Sequence, residues 1–244
     1  MSKSPVLLLQ NVSCAFGAVV VADDISFELP KGQALGIVGP NGAGKTSLFN
    51  LITGALKPSS GSVRFNGQDV SRLNVVQRSR LGIGRSFQIP QPFGQMSVME
   101  NCMTAATQSG SMPILEAQDY CLHVLESTGL IDKGNVVARK LSLLERKRLE
   151  LARAMCTRAK LLLLDEIAGG LTDAECDSLI QTIQGISAQG TPLIWIEHVV
   201  HALLAVVDRL IVINFGRIVA DGEPRDTMNS TEVREIYLGI EGHG

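Results

Sequence analysis

The sequence predicts an α/β fold built on a buried parallel sheet, and three observations predict it. Leu161–Leu164, Leu193–Ile196 and Leu210–Ile213 are apolar at every position, as strands covered on both faces must be. Segments of helical spacing near Asp173–Ser187 and Val199–Val207 alternate with these runs, which is the βαβ order of a parallel sheet. Finally, Gly39-Pro40-Asn41-Gly42-Ala43-Gly44-Lys45-Thr46 fits G-x-x-x-x-G-K-[ST] between an apolar run, Ala34–Val38, and a helical stretch, Ser47–Ile52. Strand, loop and helix therefore stand in the order a P-loop requires.

The remaining elements follow in chain order. Short β-like runs at Val6–Gln10, Ile25–Leu29, Ala34–Val38 and Val63–Phe65 are punctuated by the turn signals Pro30-Lys31-Gly32 and Asn66-Gly67. They predict an N-terminal antiparallel β subdomain made of hairpins. From Ser97 to Thr157 the spacing turns helical: Ile114, Leu115, Cys121, Leu122 and Leu125 form one stripe ending at Gly129, and Leu141–Met155 follows. A helical subdomain is expected over about residues 89–158, inside one composite domain spanning residues 1–244.

Composition removes other classes. The 244 residues suit one large or two small domains. Lys plus Arg (22) against Asp plus Glu (24) gives a net charge of −2, so there is no basic field for nucleic acid. With 45% hydrophobic and 19% charged residues, disordered and collagen-like chains are excluded. The apolar bursts fall far short of the roughly 18 residues of a membrane span. Five scattered cysteines without a C-x-x-C pair indicate reduced thiols, and Met1–Pro5 lacks a secretory pattern, so a cytoplasmic location is expected.

The P-loop types have a chemical reason. Glycines let backbone N–H groups curl around phosphate oxygens, Lys45 brings a cation to the β- and γ-phosphates, and Thr46 offers a hydroxyl to Mg²⁺. The apolar run Leu161–Leu164 leads into Asp165-Glu166, which places carboxylates at a strand end beside that loop. Asp165 is the candidate Mg²⁺ ligand, directly or through water. Glu166 is the candidate base that orients and deprotonates the attacking water.

With both motifs in place, the sequence resembles the ATP-binding subunits of ABC transporters from about Val6 to Ile240. The resemblance implies a P-loop NTPase of the ABC ATPase type, with ATP and Mg²⁺ as its nucleotide and metal. It makes Phe16 the aromatic that stacks on adenine, a core aromatic being the competing reading. It also adds Gly39, Pro40, Asn41, Gly42, Ala43, Gly44, Lys45, Thr46 and Ser47 as the nucleotide-binding set. Gln88 is implied as a contact to Mg²⁺ or water, and His198 as a bridge between γ-phosphate and Glu166. Ser142-Leu143-Leu144-Glu145 stands where the family has L-S-G-G-Q, which binds the γ-phosphate held by the opposite protomer. Both glycines and the glutamine are replaced, although Ser142-x-x-Glu145 is itself a capping box at a helix start. Ile167 and Thr172 likewise replace a proline and an aspartate in the loop that faces the partner. His198 and His201 lack the further ligand spacing of a zinc site.

Within that family, Gly84-Arg85-Ser86-Phe87-Gln88, Met96-Ser97-Val98-Met99-Glu100-Asn101, the Leu141–Arg148 run and Tyr237-Leu238-Gly239 look like ATPases of branched-chain amino acid uptake systems. The resemblance implies a homodimer, or a heterodimer with a paralogous ATPase, on integral-membrane permease subunits at the cytoplasmic face of the cell membrane. It also implies a substrate-binding protein and no nucleic acid. Phe87, Phe93 and Met96 are candidate permease contacts, core packing being the other reading. A lipid or polysaccharide exporter ATPase and a non-transport ABC ATPase of repair or translation stay open as alternatives. A kinase or GTPase would leave Gln88, Ser142 and His198 unexplained, and no N-K-x-D motif is present.

Overall fold

In the computed structural model, which describes residues 4–238, two sheets and a helical unit enclose three hydrophobic cores. The chain begins with strands β1 (Leu7–Phe16) and β2 (Val19–Leu29), then passes through β3 (Ala34–Val38) into helix α1 (Lys45–Thr53). Strands β4 (Ser60–Phe65) and β5 (Gln68–Asp69), helix α2 (Val75–Leu81) and strand β6 (Ile83–Arg85) follow. The helical unit holds α3 (Val98–Thr104), α4 (Ile114–Ser127) and α5 (Leu143–Cys156). The chain returns through β7 (Leu161–Asp165), α6 (Asp173–Ala188), β8 (Leu193–Ile196) and α7 (Val200–Val206). It closes with β9 (Arg209–Asn214), β10 (Arg217–Gly222), α8 (Pro224–Asn229) and α9 (Thr231–Leu238). Gly239 of the C-terminal tripeptide noted above lies outside the described residues.

The larger sheet has the order β10-β9-β3-β8-β7-β6, parallel except for β10 on β9. Its strands are apolar throughout because alternate residues serve different cores. Ile37, Leu163, Ile194 and Ile211 point into the core shared with the antiparallel sheet and α1. Val38, Leu164, Trp195 and Val212 point into the one under α6 and α7. A third cluster, including Cys102, Cys121, Leu125 and Leu149, is internal to the helical unit.

The antiparallel sheet has the order β2-β1-β4-β5. Asn66 and Gly67, both at positive φ, make the two-residue turn between β4 and β5. The other turn signal in this region does something different. Pro30-Lys31-Gly32 does not close a hairpin: β3 crosses to the other sheet and pairs with β8 and β9. The physical reason is burial, since every residue of β3 is buried and the hairpin sheet has only one covered face. Two further strands, β6 and β10, carry too little apolar pattern to be read from sequence.

Local chemistry fixes the helix ends. Asn74/Gln77, Ser97/Glu100, Ser142/Glu145 and Thr172/Glu175 each close a capping box, at the starts of α2, α3, α5 and α6. The far end of α1 is capped from outside. Arg78, fully buried, donates to the Leu51 and Ile52 carbonyls at 2.6 and 2.9 Å and to those of Leu73 and Ser71. Burial pushes the pKa of its guanidinium down to about 10, and the Asp69 carboxylate opposes that shift.

Candidate nucleotide site

The C-terminal ends of four parallel strands converge on one place, as they do at ligand sites of α/β sheets. The Gly39–Thr46 loop leaves β3, Gln88 follows β6, Asp165 ends β7, and His198 lies just beyond β8. Sequence spacing could not show this convergence for residues as far apart in the chain as Gly39 and His198.

The loop is shaped by glycine where no other residue fits. Gly39 has φ 156° and a Cβ there would lie 2.1 Å from the Ile213 carbonyl oxygen; Gly44 has φ 105° and a Cβ would lie 2.5 Å from that of Val21. The turn between β9 and β10 braces the loop from behind, with the Gly216 N–H donating to the Ala43 carbonyl at 2.8 Å. Lys45 is buried, and its Nζ donates to the Gly39 and Pro40 carbonyls at 2.7 and 2.9 Å. The ammonium is thus folded back over its own loop. Burial pushes its pKa below the ordinary lysine value, and the nearby Glu166 and Asp165 carboxylates oppose that shift. Asn41, Gly42 and Thr46 are exposed, Ser47 is half-buried, and Phe16, at the end of β1, is 55% exposed. Phe16 is therefore not a core aromatic, and its ring is open to a stacking partner.

Glu166 sits in the left-handed region at φ 47°, a conformation a glutamate rarely adopts. Its N–H donates to the Ile196 carbonyl, and the sharp turn carries its side chain off the end of β7. There Gln88 Nε2 donates to one carboxylate oxygen at 2.7 Å, and His198 Nε2 lies 3.0 Å from the other. Gln88, Glu166 and His198 are thereby brought together. Asp165 is buried, and its Oδ2 accepts from Arg85 at 2.6 Å. Its other oxygen has no partner among the described residues. That oxygen, the exposed Thr46 hydroxyl and the Gln88 amide oxygen are hard donors of the kind Mg²⁺ takes, so the residues fit the ion.

The Ser142–Glu145 segment stands apart from this cluster and opens α5. Ser142 is exposed, and Glu145 folds back to accept from the Ser142 N–H at 2.8 Å. Lys133 pairs with the same carboxylate at 3.0 Å, and these contacts hold it below the usual carboxylate range. Leu144 packs against the second core, and Leu143 is half-buried.

Three residues that sequence reading passed over complete the site. Arg85 bridges Asp165 and Asn50 of α1, at 2.6 and 2.7 Å. Buried Lys147 on α5 reaches the carbonyls of Gln88 and Glu166 at 3.4 and 3.5 Å. Buried Glu197 accepts from the N–H groups of Ala168, His198 and Val199, tying the loop after Glu166 to the loop bearing His198. The one signal available was a charged residue adjoining a motif, which is common on any surface. Beside the site, a cleft of about 440 Å³ is lined by Phe87, Gln88, Ile89, Gln91, Glu150 and Arg153. Phe87 and Phe93 are about half exposed, so neither is a core residue, while Met96 is half-buried.

Comparison with known proteins identifies the family. The ABC transporter family profile matches residues 22–169. The chain is 32% identical over 250 residues to the high-affinity branched-chain amino acid transport ATP-binding protein BraF of Pseudomonas aeruginosa, covering 96% of this chain and 98% of that one. It is 31% identical over 247 residues to the probable branched-chain amino acid transport ATP-binding protein LivG of Archaeoglobus fulgidus, covering 97% and 96%. A nucleotide-free ATP-binding cassette from an ABC transporter superposes with a TM-score of 0.87 at 29% identity, over 96% of this chain and 99% of that chain. The ADP conformation of an ATP-binding cassette gives 0.87 at 28% identity, over 97% and 99%. The chain belongs to the ABC transporter family, as one of its ATP-binding, ATP-hydrolysing subunits.

Proposed function

We propose that this ATPase powers uptake of branched-chain or related amino acids through an integral-membrane permease. The relatives named above support the substrate class, at about a third identity over nearly the whole chain. The observation that carries the chemistry is the Glu166 carboxylate, fixed between Gln88 and His198 on a strained turn beside the Lys45 loop.

The geometry divides the work as follows. The ring of Phe16 stacks on adenine, and the N–H groups of residues 39–47 with the Lys45 ammonium hold the phosphates. Thr46, Asp165 and Gln88 hold Mg²⁺, which when bound neutralises phosphate charge. Glu166 takes a proton from a water whose oxygen attacks the γ-phosphorus, and the bond to the β–γ bridging oxygen breaks to leave ADP and phosphate. Gln88 and His198 keep the carboxylate aimed, and His198 extends toward the γ-phosphate.

The Ser142 end of α5 is exposed and makes no hydrogen bond to its own Gly39–Thr46 loop among the described residues, so it serves a nucleotide on an opposite protomer, in a homodimer or with a paralogous ATPase. No helix among the described residues is long and apolar enough to cross a membrane, so transport requires permease subunits. Residues 1–244 act as one ABC ATPase domain, with about 89–158 as its helical part. Phe87, Phe93 and Met96 offer contacts to the permease, with the chain peripheral on the cytoplasmic face of the membrane. A substrate-binding protein delivers the amino acid, and nucleic acid plays no part.

Glu166→Gln tests the chemistry. It should keep ATP binding, lower ATP turnover by about 10²–10⁴-fold and accumulate as an ATP-bound dimer on size-exclusion chromatography. Turnover at the parent rate would remove Glu166 as the base. For the transport reading, cells lacking this chain should lose uptake of labelled leucine and regain it with the parent chain but not with Glu166→Gln. Leucine uptake that persists without the chain sinks the substrate class.

A further inference from the structure

The Asp165 carboxylate is not free in its pocket. Arg85, the last residue of β6, spans two elements of the site with the two ends of one guanidinium. One terminal nitrogen donates to Asp165 Oδ2 at 2.6 Å and the other to Asn50 Oδ1 on α1 at 2.7 Å. The group lies between two aromatic rings, 5.5 Å from the centroid of Phe49 and 5.1 Å from that of Phe87. Both members of the ion pair are shielded, with side-chain exposures of 10% and 8%. Arg85 Nε is buried without a partner, so the guanidinium is held by its two terminal nitrogens and the rings alone.

This arrangement has a consequence for the metal. Arg85 uses one oxygen of Asp165 and leaves the other without a partner among the described residues, while its second limb fixes α1, the helix that carries Thr46. A rigid planar fork fixes both acceptors in one plane, whereas a lysine ammonium, with its donors on a single atom, holds them less precisely. Hydrogen-bond partners of metal-binding carboxylates commonly set affinity by 10–100-fold.

We propose that Arg85 is a positioning residue for Mg²⁺: it locks the Asp165 carboxylate against α1 so that one oxygen and the Thr46 hydroxyl stand at a fixed separation. The proposal rests on the reading of Asp165 as the metal ligand.

The test is the ratio of the ATP dissociation constant in EDTA to that in excess Mg²⁺, measured by calorimetry on the purified full chain. Arg85→Met should lower this ratio by about tenfold and leave the EDTA value within about twofold. Arg85→Lys should fall between Met and the parent, and Asn50→Leu should lower the ratio in the same direction. Asp165→Asn separates the two ideas. If Asp165→Asn leaves the ratio at the parent value, the metal-ligand reading fails and this inference goes with it. If Asp165→Asn collapses the ratio while Arg85→Met leaves it unchanged or raises it, the inference alone is overturned. Equal weakening in EDTA and in Mg²⁺ also overturns it, since that marks a merely structural role. Should Arg85→Met fail to fold, Asn50→Leu and Arg85→Lys decide, and an unchanged ratio in both rejects the proposal.

Discussion

Lys45 and Glu145 show how one side chain's partners set what a substitution does. The Lys45 ammonium is buried and meets two loop carbonyls, with Asp165 and Glu166 close enough to pull its pKa upward. Those contacts hold the cation in the loop, and the other cations of the site are committed elsewhere, Arg85 to Asp165 and Asn50 and Lys147 to the Gln88 and Glu166 carbonyls. Lys45→Ala should therefore abolish ATP binding, which equilibrium dialysis with labelled ATP will read. Glu145 is a different case. A carboxylate at the end of α5 would repel a phosphate, yet its two oxygens are committed to the Ser142 N–H and to Lys133. A glutamine keeps the cap and removes the charge. Glu145→Gln is expected to leave ATP turnover unchanged or raise it, and a turnover loss of tenfold or more would give the carboxylate a role of its own.

At the scale of elements, the capping boxes make helix stability a matter of pH. Glu100, Glu145 and Glu175 each accept from an N-cap N–H, which holds all three below the usual carboxylate range. In the unfolded chain they return to about 4.3. An acid lowered on folding contributes stability that is complete above the unfolded value and is lost as pH falls through the folded one. The parent should therefore lose urea resistance on acidification below about pH 4.3, and the triple variant Glu100→Gln, Glu145→Gln, Glu175→Gln should lose less over the same interval. Parallel midpoint-against-pH curves for the two proteins would show that the caps do not contribute. Arg78 works at the opposite end of a helix, where its buried guanidinium covers the Leu51 and Ile52 carbonyls of α1. Arg78→Ala is expected to cost about 3–5 kcal/mol in denaturant unfolding, because it leaves buried acceptors unpaired.

For the molecule as a whole, the division into three cores implies that stability is not uniform. The cluster containing Cys102, Cys121, Leu125 and Leu149 shares no fully buried residue with the two cores that flank the parallel sheet. Such a unit can open without the sheet. Leu149→Ala, which removes a buried side chain from this cluster, should cost about 2–5 kcal/mol locally. In hydrogen exchange, protection should fall in α3, α4 and α5 while β3, β7 and β8 keep theirs. An equal fall in the sheet would mean that the helical unit and the core unfold together. Lys147 and the Glu150–Arg153 pair still tie α5 to the loop around Gln88, so opening of this unit reaches the site.

The sequence by itself determined the strands covered on both faces, the P-loop with its lysine, the carboxylate pair at the end of β7, and the capping box at Ser142. Each of these is a local pattern: a run, a fixed spacing or a composition that the backbone must satisfy within a few residues. Tertiary structure decided that β3 abandons the hairpin sheet for the parallel one and that β10 pairs antiparallel at its edge. It also decided that Arg85, Lys147 and Glu197 join the site. These depend on which distant segments meet. A buried charge next to a motif has the same sequence signature as a solvated one, and only the packing around it tells them apart.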